Sequence, residues 1–140
     1  MQPSLIPGLE GSVSLQVPES KLVPALYPES EAFQEMPPVF ATGFLVGLME
    51  WACLAAVNAH LDWPREQTVG THIHVSHEAP TPPGLVVTAT ARLTAVAGRR
   101  LTFEVEAHDG IDVIGRGTHE RFVIDRDRFQ ARAARKAPSP

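Results

Sequence analysis

The residues of this 140-residue chain best suited to chemistry are one acid inside a greasy stretch and three histidines in a short alternating run. Over positions 39–61 the run VFATGFLVGLMEWACLAAVNAHL is apolar on nearly every side of any helix it forms, yet Glu50 sits in its middle. A buried carboxylate is costly unless it is paired or put to use. Further on, Thr71-His72-Ile73-His74-Val75-Ser76-His77-Glu78 carries histidines at H-x-H-x-x-H, a spacing that invites a metal. Alternation along a strand argues against one, because Ile73, Val75 and His77 share one face while His72, His74 and Ser76 share the other. Ile73 and Val75 mark the dry face, so His77 is expected to point toward the helix. His72 and His74 are expected to face solvent or a partner subunit, with no third metal ligand beside them.

A buried acid on the helix and an inward histidine on the covering sheet form an orienting pair, in which the carboxylate fixes the imidazole tautomer and stabilises the imidazolium. Glu50 and His77 are expected to meet in this way; the plainer reading is a structural ion pair. Thr42 is the third candidate. It falls in the first turn of the helix, where free N–H groups and the positive dipole end favour an oxyanion or phosphate, although threonine also serves simply as an N-cap. In a continuous helix Thr42 and Glu50 stand eight residues and about 12 Å apart, so one histidine cannot touch both directly. Either Thr42 precedes the helix and folds back, or the working set is assembled across a dimer. Cys53 sits among Ala and Leu with no adjacent base and reads as a packing residue.

The elements that position these groups follow from periodicity. The 39–61 stretch is long enough to cross a bilayer, but Glu50 near mid-bilayer would cost about 2–3 kcal/mol or more, and neither flank carries the Lys/Arg cluster that fixes orientation. The expectation is a helix wrapped by protein, with no membrane as partner, beginning after Pro37-Pro38 and closed by Asn58, His60 and Pro64. Gly43 and Gly47, four apart, predict that another backbone packs close to it. Period-two alternation marks strands at about 12–17, 68–78, 87–95, 101–107 and 111–124. Gly98-Arg99-Arg100 and Asp109-Gly110 supply turns, and Gly115 and Gly117 mark bulges or bends in the last strand. An antiparallel sheet of about five strands with one dry face must cover that face, and one apolar central helix fills it. The predicted fold is α+β, a sheet curled round a helix in the hot dog arrangement. The helix surface left over predicts a homodimer.

Composition agrees with one domain over 1–140, with flexible ends at about 1–10 and 137–140: 44% of the chain is hydrophobic and 20% charged. A net charge of -4 argues against nucleic acid as partner. Five of the twelve basic residues (Arg126, Arg128, Arg132, Arg135, Lys136) crowd the last fifteen positions, as in a solvated, fraying terminal helix. A lone cysteine and an N-terminus without a basic-then-apolar leader predict a cytoplasmic protein. His119 and Glu120 read as polar surface. Arg92, Arg99, Arg100 and Arg121 read as solvated strand and turn charges, or as holders of the phosphates of a large ligand.

The runs Tyr27-Pro28-Glu29-Ser30, Val39-Phe40-Ala41-Thr42-Gly43-Phe44, Gly47-Leu48-Met49-Glu50-Trp51-Ala52, Thr81-Pro82-Pro83-Gly84, Ala107-His108-Asp109-Gly110 and Gly117-Thr118-His119-Glu120-Arg121 closely resemble the fluoroacetyl-CoA thioesterase family of hot dog-fold enzymes. The likeness extends over about residues 23–136. It implies a homodimer that hydrolyses a short acyl-CoA thioester, with Thr42, Glu50 and His77 at the family's catalytic threonine, glutamate and histidine. Coenzyme A enters as part of the substrate, and no separate cofactor is implied. Gly70 matches a glycine whose backbone lines the acyl site, and Phe33 an aromatic near the pocket mouth. Met36 stands where the fluoroacetyl enzyme carries a lid phenylalanine, and a flexible thioether makes a looser lid than a flat ring. Arg121, inside a matched run, joins Gly70, Phe33 and Met36 in the expected substrate-binding set. Two other readings compete: a hot dog enoyl-CoA hydratase, and a non-catalytic acyl-CoA-binding dimer in which Glu50 and His77 pair only structurally.

Overall fold

The computed structural model describes residues 1–140. In chain order it contains β1 (Glu10–Gln16), α1 (Val23–Leu26), α2 (Glu31–Gln34), α3 (Thr42–Val57), β2 (Glu66–Val75), β3 (Val86–Ala97), β4 (Arg100–His108), β5 (Val113–Asp125) and α4 (Arg126–Ala134). The five strands form one antiparallel sheet in the order β1-β3-β4-β5-β2. Alternation produces the core: Val87, Ala89, Ala91 and Leu93 of β3 and Leu101, Phe103, Val105 and Ala107 of β4 are buried, while their neighbours face out. Against that face lies α3, burying Leu45, Leu48, Met49, Ala52, Cys53, Ala56 and Val57. The apolar segment Thr42–His60 would suffice for a membrane span by length and composition; here it is the core helix over which the sheet curls.

The helix begins three residues later than the start of the apolar run. The Val39 carbonyl accepts from the Val23 N–H at 2.9 Å and Ala41 donates its N–H to the Lys21 carbonyl at 3.0 Å, so Phe40 bridges Leu22 as a strand residue and the Val39 carbonyl is taken before a helical bond could use it. Ala41 caps without a side-chain hydrogen bond, which makes Thr42 the first helical residue. At the other end Val57 passes into a 3-10 turn over Asn58–His60. The expected backbone contact at Gly43 and Gly47 is absent. A Cβ at Gly43 would meet only the Leu26 side chain, at 3.5 Å, and one at Gly47 nothing within 4 Å.

The close approach lies instead at Gly11 of β1, where a Cβ would overlap the backbone of Ala52 and Ala56 on α3. Small residues on both sides let this edge strand sit directly on the helix. Gly115 and Gly117 play the same part on β5. A Cβ at Gly115 would stand 2.5 Å from the Ser76 carbonyl, and one at Gly117 would overlap that of His74. The absence of side chains there lets the end of β2 and the segment beyond it lie flat across β5.

Strand β2 departs from a regular half-buried strand. Its register on β5 shifts between Gly70 and His72, and residues 70–74 are exposed on both faces. Ile73, expected on the dry side, is 40% exposed, because one chain provides nothing to cover this part of the edge. Trp51 on the outer side of α3 is 53% exposed. Helix α4, which buries no residue, is capped by Asp125 accepting from the Arg128 N–H at 3.1 Å. The leading residues are tied down by Gln2 N–H to the His60 carbonyl and by buried Leu5.

Replacing Gly11 with valine forces the two backbones apart and is expected to lower stability by about 1–3 kcal/mol, read as a reduced urea midpoint. An unchanged midpoint would contradict the seating of β1 on α3.

Candidate active site

His77 lies two residues past the end of β2, on a strap held from both sides. Ser76 N–H donates to the Arg116 carbonyl at 2.9 Å and Glu78 N–H to the Ile114 carbonyl at 2.6 Å. The Glu78 carboxylate accepts from Ser76 Oγ at 2.8 Å and Arg116 Nε at 3.1 Å. So anchored, the half-buried imidazole turns to the first turn of α3, where its Nδ1 stands 2.7 Å from Thr42 Oγ1. Its Nε2 is buried and has no hydrogen-bond partner. Burial holds the His77 imidazole below the ordinary histidine range, since an apolar surround disfavours the charged ring. A neutral ring is the form with a lone pair free for the threonine proton.

The expected direct pair between His77 and Glu50 does not form within the chain. His77 meets the N-terminal end of α3, and Glu50 lies two turns further along the axis. Glu50 Oε2 instead accepts from Arg121 Nη1 at 3.1 Å. Arg121 also donates from Nε to Thr68 Oγ1 and from Nη2 to the Thr68 carbonyl, both at 2.8 Å. A third partner is His119, whose Nε2 lies 3.1 Å from Nη1 and whose Nδ1 lies 2.6 Å from the His72 carbonyl oxygen.

Arg121 and His119 are therefore not surface groups: they are 4% and 2% exposed. The ladder explains why. His119 stands opposite Phe103 and Arg121 opposite Leu101, and directly paired residues share a face. Counting back by twos from Val123 would have found both residues. The signal is masked by the change of phase at Gly115 and Gly117, after which buried positions move from Ile114 to the odd-numbered series. The solvated reading fits Arg92, which pairs with Glu104 at 2.6 Å on the open face of the sheet.

Gly70 pairs with Arg121 across the β2–β5 ladder. A Cβ there would come within 3.2 Å of His119 Cε1 and 3.5 Å of Arg121 Nη1. Its absence leaves a concavity of about 410 Å³ lined by Glu50, Gly70, Thr71, His72, Ile73 and His119. Cys53 is buried and its thiol is pushed up to about 12 by burial, which removes it as a nucleophile and keeps it as packing. Phe33 stacks on Tyr27 at 5.7 Å between ring centroids. Met36, just beyond α2, is exposed, and neither Phe33 nor Met36 lines the Glu50 concavity.

This arrangement provides a hydroxyl with an adjacent neutral base at one end of α3, and a carboxylate fixed by a buried guanidinium two turns away. The model of the family described as fluoroacetyl-CoA-specific thioesterase matches residues 25–127. The fluoroacetyl-CoA thioesterase of Streptantibioticus cattleyicolor is 57% identical over 123 residues, 88% of each chain. A solved structure of the fluoroacetyl-CoA thioesterase FlK superposes with a TM-score of 0.93 at 52% identity, covering 96% of this chain and 99% of that one. A hot-dog-like protein from Thermanaerovibrio acidaminovorans, 22% identical with a TM-score of 0.77 over 99% of this chain and 96% of its own, shares the fold. The sheet curled round α3 is a hot dog fold, and the chain belongs to the fluoroacetyl-CoA-specific thioesterase family.

Proposed function

We propose that this chain hydrolyses a short acyl-CoA thioester to the free acid and coenzyme A, with Thr42, His77 and Glu50 as its catalytic residues. The observation that carries the reading is the 2.7 Å contact between Thr42 Oγ1 and His77 Nδ1. A threonine hydroxyl is a poor nucleophile unaided, and a neutral imidazole at hydrogen-bond distance is the base it requires. His77 takes the hydroxyl proton as Oγ1 attacks the thioester carbonyl, and N–H groups at the start of α3 or beside Gly70 stabilise the oxyanion. The C–S bond breaks, the coenzyme A thiolate leaves and receives the proton from the imidazolium. Water, deprotonated by the same ring, then releases the acid from the threonine. A variant of the scheme has the ring activate a water held by Thr42, and a third removes a proton from the acyl α-carbon.

The site is proposed to be completed by a second copy of the chain. The exposed β2 edge, with Ile73 open to solvent, and the outer side of α3, with Trp51, form the surface a homodimer would cover. In that assembly at least one member of the working set comes from the other protomer, which answers the separation of Glu50 from His77 within one chain. Gly70 lines the acyl end of the site, and Arg121 acts there through Glu50 rather than on distant phosphates. Phe33 and Met36 belong to the segment over the mouth. This reading requires no cofactor and no membrane and fits a cytoplasmic enzyme.

Because burial lowers the pKa of His77, the ring is already neutral at pH values where an ordinary histidine, near 6.5, is half charged. The sign follows directly: acid protonates the base and removes its lone pair. Thiol release, as kcat/KM, is expected to rise with pH and level off from a midpoint below 6.5. A flat profile over the same range would contradict His77 as the base, and a midpoint above 6.5 would show that a carboxylate from the second protomer, rather than burial, sets its titration. The neutral native ring also contributes stability that is present above the unfolded-state pKa and lost as pH falls through the lowered native one.

Met36 in place of a flat ring predicts modest discrimination between fluoroacetyl-CoA and acetyl-CoA, sharpened in Met36→Phe. Strong fluorine selectivity in the unsubstituted protein, measured as a kcat/KM ratio, would show that this lid position does not set it.

A further inference from the structure

His119 has no place in the reaction scheme above, yet it is among the most buried polar side chains of the chain. Its two ring nitrogens have fixed and opposite partners. The His72 carbonyl, 2.6 Å from Nδ1, can only accept, so Nδ1 carries the proton. In the neutral ring Nε2 is then a bare acceptor, and it faces Arg121 Nη1, which can only donate, at 3.1 Å. Burial and the neighbouring guanidinium both act against protonation. The His72 carbonyl is available because the β2 register breaks between Gly70 and His72.

The donors of Arg121 can be counted. Nε and one Nη2 hydrogen go to Thr68, and the two Nη1 hydrogens go to His119 Nε2 and Glu50 Oε2. Of these partners Glu50 and His119 both line the concavity, but the Glu50 side chain is 41% exposed there whereas His119 is 2% exposed, so it is the carboxylate that stands open. Fixing the other Nη1 hydrogen on His119 fixes the direction from which Glu50 is held. We propose that His119 is a positioning residue: acting through Arg121, it sets the orientation of the Glu50 carboxylate in the concavity beside Gly70. The proposal rests on the reading of Glu50 as a catalytic group.

The test compares thiol release by the unsubstituted protein and four variants. His119→Phe keeps the ring volume and deletes both hydrogen bonds; it is expected to lower kcat about 10–100-fold, the scale of a lost hydrogen bond to a charged group, with KM little changed. His119→Gln, which retains a donor and an acceptor, is expected to recover part of that loss. In the Glu50→Gln background, His119→Phe is expected to add no further loss, since groups acting in series are not additive. An equal loss in both backgrounds, or kcat within twofold of the unsubstituted protein, would overturn the proposal.

Nitrogen-15 spectra of the His119 ring in the folded, unsubstituted protein separate this inference from the thioesterase reading. If that protein releases no thiol from any acyl-CoA, the thioesterase reading fails. The spectra still decide on His119: a proton on Nδ1, together with an Arg121 Nη1 signal that moves in His119→Phe, supports the positioning role, whereas a proton on Nε2 or a freely exchanging ring overturns it.

Discussion

A guanidinium sunk between a helix and the inner face of a sheet is tolerable only if its donors are met, because an unpaired buried charge is strongly destabilising. Arg121 imposes that condition on everything around it. Thr68 must present both its hydroxyl and its carbonyl, Glu50 must lie on the side of α3 that faces β5, and His119 must offer an unprotonated nitrogen. Gly70, opposite Arg121 on β2, must lack a side chain for the concavity in front of Glu50 to remain open. The acid in the greasy helix is thus the half-exposed partner of a buried guanidinium that arrives from a strand 71 residues later.

A second constraint acts at the other end of α3. The bridge of Phe40 to Leu22, with the Val39 carbonyl taken by the Val23 N–H, holds the chain out of the helix until Thr42. The glycines of β5 let the 76–79 strap lie close enough for His77 to reach that hydroxyl. Backbone hydrogen bonds at Ser76 and Glu78 bracket the histidine, so the ring is carried by an anchored segment rather than a free loop. Two polar constellations are therefore built on one helix, and the about 12 Å between them is the distance that a second protomer is proposed to bridge.

Much of this was legible in the residues themselves. The α3 stretch follows from its apolar length and its Pro37-Pro38 entry, the strands follow from alternation, and Thr42, Glu50 and His77 stand out by type. What periodicity could not supply was contact. Pattern points both His77 and Glu50 inward, but facing the same interior does not determine which turn of the helix a side chain reaches. His119 and Arg121 looked like surface because charged strand residues usually are, and the glycines that bend β5 hide the alternation that would have placed them inside. Gly43 and Gly47 suggested a close backbone by their spacing alone, whereas the approach occurs at Gly11, whose partners on α3 are alanines. Such pairings depend on register, which is a property of two strands together.

Thioester cleavage in this enzyme family member depends, on the proposed reading, on the imidazole held against Thr42. Its most direct measurement is thiol release from a panel of acetyl-, fluoroacetyl-, longer and aryl-substituted acetyl-CoA by the unsubstituted protein and by His77→Ala, with the folded, associated state of the variant checked alongside. Turnover of a short acyl-CoA is expected from the former and a loss of at least about 100-fold in the latter. Near-normal hydrolysis by a folded His77→Ala protein would contradict that dependence.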